Sequence, residues 1–254
     1  MGIGTKSGIM ALAGAGGLFD TTSWALDGSD DYLVGTSYNT FAAHDDDTGT
    51  AKWTINLWVK FNSLSGTKYI YYISESGGTL VTYLYVNSTG RVQAFTTGEA
   101  SNFTRANSAV TTGTWYMISV VFDSTLGRYS KQKLYINGAV PSGHTSNFDK
   151  ADYNASGNIH LGTNFAENAN IDGFINEPAI FIGYAASESE LLGLYNSGVA
   201  TNLNNHSTVP TNWFRSENAV WDGTDYTMTD EMGTGLTVKT ENMDQVDRNT
   251  DVPS

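Results

Sequence analysis

Residues 53–61 read Trp-Thr-Ile-Asn-Leu-Trp-Val-Lys-Phe. Odd positions carry Trp53, Ile55, Leu57, Val59 and Phe61, and even positions carry Thr54, Asn56, Trp58 and Lys60. A period of two sends alternate side chains to opposite faces of an extended strand, so this stretch can bury its apolar set only within a sheet. The same pattern recurs along most of the chain. Residues 68–73, 80–86 and 91–95 are strand-like runs separated by Ser-Glu-Ser-Gly-Gly and Asn-Ser-Thr-Gly, which are turn sequences. Residues 115–122 are apolar on both faces and are predicted to lie between layers. Asn137-Gly138 predicts a tight hairpin, because both residues tolerate positive φ. With 27 Gly and 4 Pro among 254 residues, short strands at this spacing predict one large all-β sandwich or jelly roll.

Residues 171–198 depart from the pattern. A strand, Gly-Phe-Ile-Asn-Glu-Pro-Ala-Ile-Phe-Ile, contains Pro178, whose missing N–H predicts an edge or a bulge. A capping box follows, Ser187 with Glu190 at N3, then an apolar stripe of Leu191, Leu194 and Tyr195. The expected helix has about ten residues, a left-handed stop at Gly198 and a position over the open end of the sandwich.

Composition narrows the partners. Cys is absent, which excludes disulfides and thiolate metal sites. Thirteen basic residues face 26 acidic ones, a balance that disfavours nucleic acid and anionic lipid and is compatible with divalent cations and neutral glycans. No apolar run approaches a membrane span. In residues 1–22 the apolar stretch 9–13 is broken by Gly14, Gly16 and Gly17, weaker than an export signal. We expect a Gly-rich arm there, and the polar residues 240–254 read as a second arm, both seeking a neighbouring subunit. The expected organisation is an arm (1–22), a jelly roll (23–200) and an extension with extra strands (201–254).

Residues 159–198, together with Ser-Trp-Ala-Leu-Asp-Gly-Ser-Asp-Asp-Tyr-Leu at 23–33, the strand at 53–61 and the hairpin at 114–140, resemble the concanavalin A-like, laminin-G-like jelly-roll family. The resemblance implies two antiparallel sheets with first and last strands adjacent and one short covering helix near the C-terminus. The family commonly has Asp where this chain has Asn176, and a β-branched residue in place of Pro178. Glycan-cleaving members carry Glu-x-Asp-x-x-Glu on one strand, and no Glu here has an Asp two positions later. No catalytic residue is assigned, and the chain reads as a non-enzyme.

The resemblance also implies a structural calcium in some relatives. The acidic residues on strands expected to be neighbours are Asp27, Asp30 and Asp31 with Asp172 and Glu177, and we take Asp27, Asp30, Asp172 and Glu177 as the candidate ligands. Asx bonding in the Asp27 turn is the ion-free alternative, and Asp45–Asp47 read as a solvated loop. Glycan binding would use Trp58, Tyr83 and Tyr85, with Tyr69, Tyr71 and Tyr72 nearby. The layout resembles laminin-G-like structural proteins of tailed bacteriophages. That likeness implies a virion subunit, on capsid or tail, homo-oligomeric through its arms and made in the host cytoplasm. A stand-alone carbohydrate-binding module or lectin is the alternative, and a glycoside hydrolase with an unrecognised acid pair is the third reading.

Overall fold

The computed structural model describes residues 19–38, 50–75, 80–96, 103–147 and 157–254. The arm up to residue 18 and Asp45–Asp47 lie outside them. Two antiparallel sheets face each other. Numbering strands along the chain, the seven-stranded sheet runs β17 (Arg248–Asn249), β1 (Ser23–Asp27), β12 (Asp172–Ile182), β3 (Lys52–Phe61), β8 (Trp115–Asp123) and β9 (Gln132–Ile136), with β13 (Asn212–Trp213) pairing on β12. The ten-stranded sheet runs β10 (Thr145–Asn147), β7 (Phe103–Ala109), β6 (Arg91–Thr96), β5 (Leu80–Val86), β4 (Lys68–Glu75), β11 (Gly157–Leu161), β2 (Tyr32–Tyr38), β16 (Thr237–Glu241), β15 (Tyr226–Thr229) and β14 (Val220–Trp221). First and last strands of the jelly roll are neighbours, Trp24 opposite Ile175. The expected concanavalin A-like sandwich with one short helix is therefore present.

The odd residues of β3 all enter the core between the sheets, with Trp24, Tyr71, Phe122 and Phe214. Strand β8 divides as its two-sided apolarity requires. Ile118, Val120 and Phe122 enter that core, and Met117 and Val121 enter a second one on the outer face of the seven-stranded sheet.

This second core is built by the helix. Helix α1 (Glu188–Tyr195) begins with the predicted box: Glu190 N–H donates to Ser187 Oγ at 3.3 Å, and Ser187 N–H donates to Glu190 Oε2 at 2.8 Å. Leu191 and Leu194 are buried against the sheet, and Tyr195 stacks on Trp58 at 5.7 Å. The helix is eight residues long and lies over a sheet face, not over the open end. It stops at Asn196 (φ 44°), two residues before Gly198. The Asn137-Gly138 turn has both φ positive, and a Cβ on Gly138 would stand 2.5 Å from Leu192 Cα, so glycine also lets the turn pack on the helix.

Pro178 marks a bulge inside the sheet, since β12 has neighbours on both sides and its register with β3 shifts between Asn176 and Ala179. The extension is integral: β16 pairs with β2, β13 with β12 and β17 with β1. The polar tail docks on its own sandwich. Asp251 accepts hydrogen bonds from Lys60 Nζ and from Trp115 Nε1 (2.9 Å), and Val252 is buried.

Candidate functional site

Among the described residues, no helix or strand packs on the outer face of the ten-stranded sheet, and its middle strands place aromatic rings there. Cross-strand register sets Tyr72 opposite Tyr83, Tyr83 opposite Phe95, and Phe95 opposite Phe103. A second row runs Tyr69, Tyr85, Gln93, Arg105 and Thr145. A bulge in β4 explains how Tyr69 and Tyr72 share this face although they are three residues apart. Tyr69 pairs with Tyr85 and Tyr71 with Leu84, so the extra residue Ile70 and Tyr71 both turn into the core. Tyr71 is thereby lost to any surface site.

The rings brace one another. Tyr72 and Tyr83 stack at 5.9 Å and 6°, Tyr83 and Phe95 at 5.1 Å and 13°, and Tyr69 meets Tyr83 edge-on at 5.4 Å and 67°. Each remains half-buried. Burial, reinforced by the neighbouring phenols, pushes the Tyr83 hydroxyl up to about 12, and burial raises Tyr69, Tyr72 and Tyr85 as well. All four hydroxyls are thus neutral donors near pH 7, and none bonds another protein group among the described residues. Rigid apolar rings carrying free hydroxyls, beside an amide and a guanidinium, can hold a ligand that is apolar on one side and hydroxyl-rich on the other. At the far side of Tyr72, His160 lies under Phe165, with ring centroids 5.9 Å apart.

Of the expected glycan residues, the structure brings Tyr83 and Tyr85 together and removes Trp58. Trp58 is 2% exposed beneath Tyr195, because α1 covers the even side of β3. The other even residues are satisfied there too: Thr54 Oγ1 donates to Tyr184 O and accepts from Ala186 N–H, and Asn56 accepts from Ser119. Phe95, Gln93 and Arg105 went unnoticed in the sequence. The signal for Phe95 was available, since Val92 and Ala94 alternate with Gln93 and Phe95 and only the first pair is fully buried.

The expected calcium set does not form one site. Carboxylate oxygens of Asp27, Asp30 and Asp31 lie within 4.8 Å of one another. Yet Asp27 Oδ1 accepts the amides of Ser29 (2.7 Å) and Asp30 (3.4 Å), and Asp31 Oδ2 accepts the Asp27 amide at 3.0 Å, so turn bonding accounts for this loop. Burial first, then the adjacent like charges, raise Asp31 to about 6. Asp172 stands opposite Asp27 in register but outside that cluster. Glu177 is five residues further along β12, about 17 Å away at roughly 3.4 Å per residue, too far to share an ion.

Glu177 belongs to a different cluster. It is 3% exposed at the bulge (φ 51°) and meets Asp20 and Glu217 within 4.8 Å. Trp213 Nε1 and Arg215 Nε (3.0 Å) donate to Glu177, and Arg215 also pairs with Glu217 at 3.4 Å. Asn176 Nδ2 donates to Asp20, and the amides of Thr21 and Thr22 donate to Glu217. The Arg215 guanidinium also lies 4.1 Å from the Phe19 ring and 5.1 Å from the Trp213 ring, two rings that stack on each other. Both Glu177 oxygens accept from protein donors, and the Arg215 guanidinium already supplies the positive charge a calcium ion would bring. Burial, a hydrogen bond with Glu217 and the charges of Glu177 and Glu217 push Asp20 up to about 10, and burial raises Glu177 to about 7.

A family described as the concanavalin A-like lectin/glucanases superfamily, Laminin_G_3, matches residues 33–191. The chain belongs to this superfamily. Among solved structures, a carbohydrate binding protein from Bacteroides ovatus, itself described as putative, is similar with TM-score 0.60 and 15% identity, covering 87% of this chain and 58% of its own. This chain thus spans little more than half of that protein. The CBM40 of Ruminococcus gnavus IT-sialidase is similar with TM-score 0.52 and 17% identity over 68% of this chain and 96% of its own. The heptameric SAP-like pentraxin of Limulus polyphemus has TM-score 0.50 and 15% identity over 89% and 97%. At these identities the likeness is one of fold. No curated protein matches the sequence.

Proposed function

We propose that this chain is a non-catalytic carbohydrate-binding domain whose ligand face is the outer surface of the ten-stranded sheet, centred on Tyr83. The observation that carries the reading is the braced, half-exposed stack of Tyr72, Tyr83 and Phe95, with Tyr69 and Tyr85 beside it, on the sheet face that no described helix or strand covers. Membership of a lectin/glucanase superfamily, and neighbours described as carbohydrate-binding or as a carbohydrate-binding module, support it. The absence of catalysis is supported by where acids gather. Asp20 and Glu177 are 2% and 3% exposed, and the Glu177 oxygens accept from Trp213 and Arg215, so this acid pair is not open to a glycosidic bond.

The virion placement expected from the chain's layout has no counterpart among the relatives named above. One of its supports, a polar C-terminal arm in need of a neighbour, is weakened because that arm binds its own sandwich. The stand-alone carbohydrate-binding reading is therefore preferred. A glycan array probed with the full chain tests it, followed by titration of the best hit against Tyr83→Ala. The expected result is binding that Tyr83→Ala weakens by about tenfold or more, the loss of one stacked, hydrogen-bonding ring. An array without a hit, or a hit indifferent to Tyr83, would overturn the assignment.

A further inference from the structure

The chain's acidity is unevenly distributed. Residues 66–147, which contain β4 to β10, carry six Lys or Arg against three Asp or Glu, whereas the rest of the chain carries seven against twenty-three. Lys131 and Lys133 belong to β9 and the turn before it in the seven-stranded sheet, but residues 66–109, which hold β4 to β7 and the aromatic face, still carry three basic residues against two acidic ones, so global charge misstates what that face attracts.

Within it, Arg105 is held in place. Its Nε donates to Thr145 Oγ1 at 3.2 Å, and its guanidinium lies 5.3 Å from the Phe103 ring. These contacts fix the plane of the fork while leaving its two terminal nitrogens unengaged, and no carboxylate pairs with it among the described residues. The position is useful because Arg105 lies in the row Tyr69, Tyr85, Gln93, Arg105, two strands from Tyr85. Two strand spacings are roughly 10 Å, the span of one sugar residue plus an exocyclic carboxylate. Gln93 stands midway, where an amide can meet a ring hydroxyl. A guanidinium offers two parallel N–H donors that match the two oxygens of a carboxylate, a fit that a neutral hydroxyl cannot reproduce.

We propose that this face selects an acidic glycan, with a sugar ring against Tyr83 and Tyr85 and its carboxylate bridged by the terminal nitrogens of Arg105. This rests on the carbohydrate-binding reading and adds to it the class of sugar and the residue that reads the charge.

The test uses matched pairs differing only in charge: oligogalacturonate against its methyl ester, and a glucuronic-acid-capped xylooligosaccharide against the uncapped one. Each is titrated calorimetrically into the full chain at low and at physiological salt. The acidic member should bind about tenfold or more tightly, as a bidentate charged contact implies, with a gap that narrows as salt rises. Arg105→Gln should bring the acidic-to-neutral ratio towards one. Lys239→Gln removes the same charge from β16, three strands beyond Tyr72, and should keep the ratio. Equal affinity for both members, or a ratio that survives Arg105→Gln or falls equally in Lys239→Gln, would overturn the proposal while leaving glycan binding intact. Failure of every glycan on the array to bind would instead remove the reading on which it rests.

Discussion

Replacing a buried carboxylate by its amide usually costs stability, but at Asp20 the opposite is expected above neutral pH. Asp20 is 2% exposed and shares its surroundings with Glu177, Glu217 and one guanidinium, that of Arg215. Three carboxylates against one cation would leave two uncompensated charges away from water, which costs several kcal/mol per ion. A proton on Asp20 relieves part of this and supplies the donor that its contact with Glu217 needs. Asp20 Oδ1 otherwise has no hydrogen-bond partner, and Glu217 Oε2 has only its 3.4 Å ion pair with Arg215. The folded chain therefore holds a proton, up to about pH 10, that the unfolded chain releases near 3.8. An acid whose folded pKa lies above its unfolded value stabilises fully only below the unfolded value, and its contribution declines as pH rises towards the folded one. The slope is about 1.4 kcal/mol per pH unit, so from pH 6 to pH 8 this group forfeits roughly 2–3 kcal/mol.

Asp20→Asn keeps the shape, accepts from Asn176 through its oxygen, donates to Glu217 through its nitrogen, and binds no proton. The stability difference, variant minus wild type, is expected to grow in the variant's favour by roughly 2–3 kcal/mol between pH 6 and pH 8. Urea titrations followed by tryptophan fluorescence at several pH values and constant ionic strength would measure it. Taking the difference cancels the other titrating groups to first order. A difference independent of pH would refute the shared proton. So would a wild type raised to the variant's stability at pH 8 by millimolar calcium, because the triad would then be compensated by a cation.

Two further predictions concern the covered sheet. Trp58→Ala opens a cavity beneath Tyr195 and should cost about 3–5 kcal/mol in denaturant unfolding, while leaving the affinity for any glycan hit unchanged. A loss of affinity in folded Trp58→Ala protein would return the site to that face. Ser187→Ala removes the acceptor for Glu190 N–H and should cost about 1 kcal/mol, read as a lower urea midpoint at unchanged slope.

What could be read from the sequence follows the range of the forces involved. The capping box, the Asn137-Gly138 turn and the alternation of β3 are decided within a few residues, and each stands where the pattern put it. The bulge at Pro178 is of the same kind, since a missing donor acts locally. Trp58 was misplaced because periodicity assigns it a face but cannot say what covers that face. Its cover is Tyr195, 137 positions later in the chain. Tyr71 was misjudged because one extra residue in β4 inverts the parity of everything after it. Glu177 was grouped with Asp27 because their strands are indeed adjacent. Adjacency fixes the spacing across a sheet and says nothing of displacement along it, and here the displacement is five residues.

The location of the ligand face follows from how the chain uses its last third. Helix α1 and strand β13 are both committed to the seven-stranded sheet, where Leu191, Leu194, Leu203 and Trp213 close over Trp58, Met117 and Phe181. Strands β14 to β16 instead widen the ten-stranded sheet at its edge and add no layer to it. Among the described residues, the loop carrying Phe165 and Glu167 meets its outer face at His160 and Tyr32, away from the Tyr83 stack. An uncovered sheet face is normally polar, because apolar surface left in water forfeits roughly 25 cal/mol per Å². Here β4, β5 and β6 place five aromatic rings on it and recover part of that loss by packing the rings against one another. Such cross-strand pairs give the sheet at most about 1 kcal/mol each and still leave half of every ring in water. A ligand that completes the burial gives those rings a use, and Arg105 at the end of their row gives that ligand a charge.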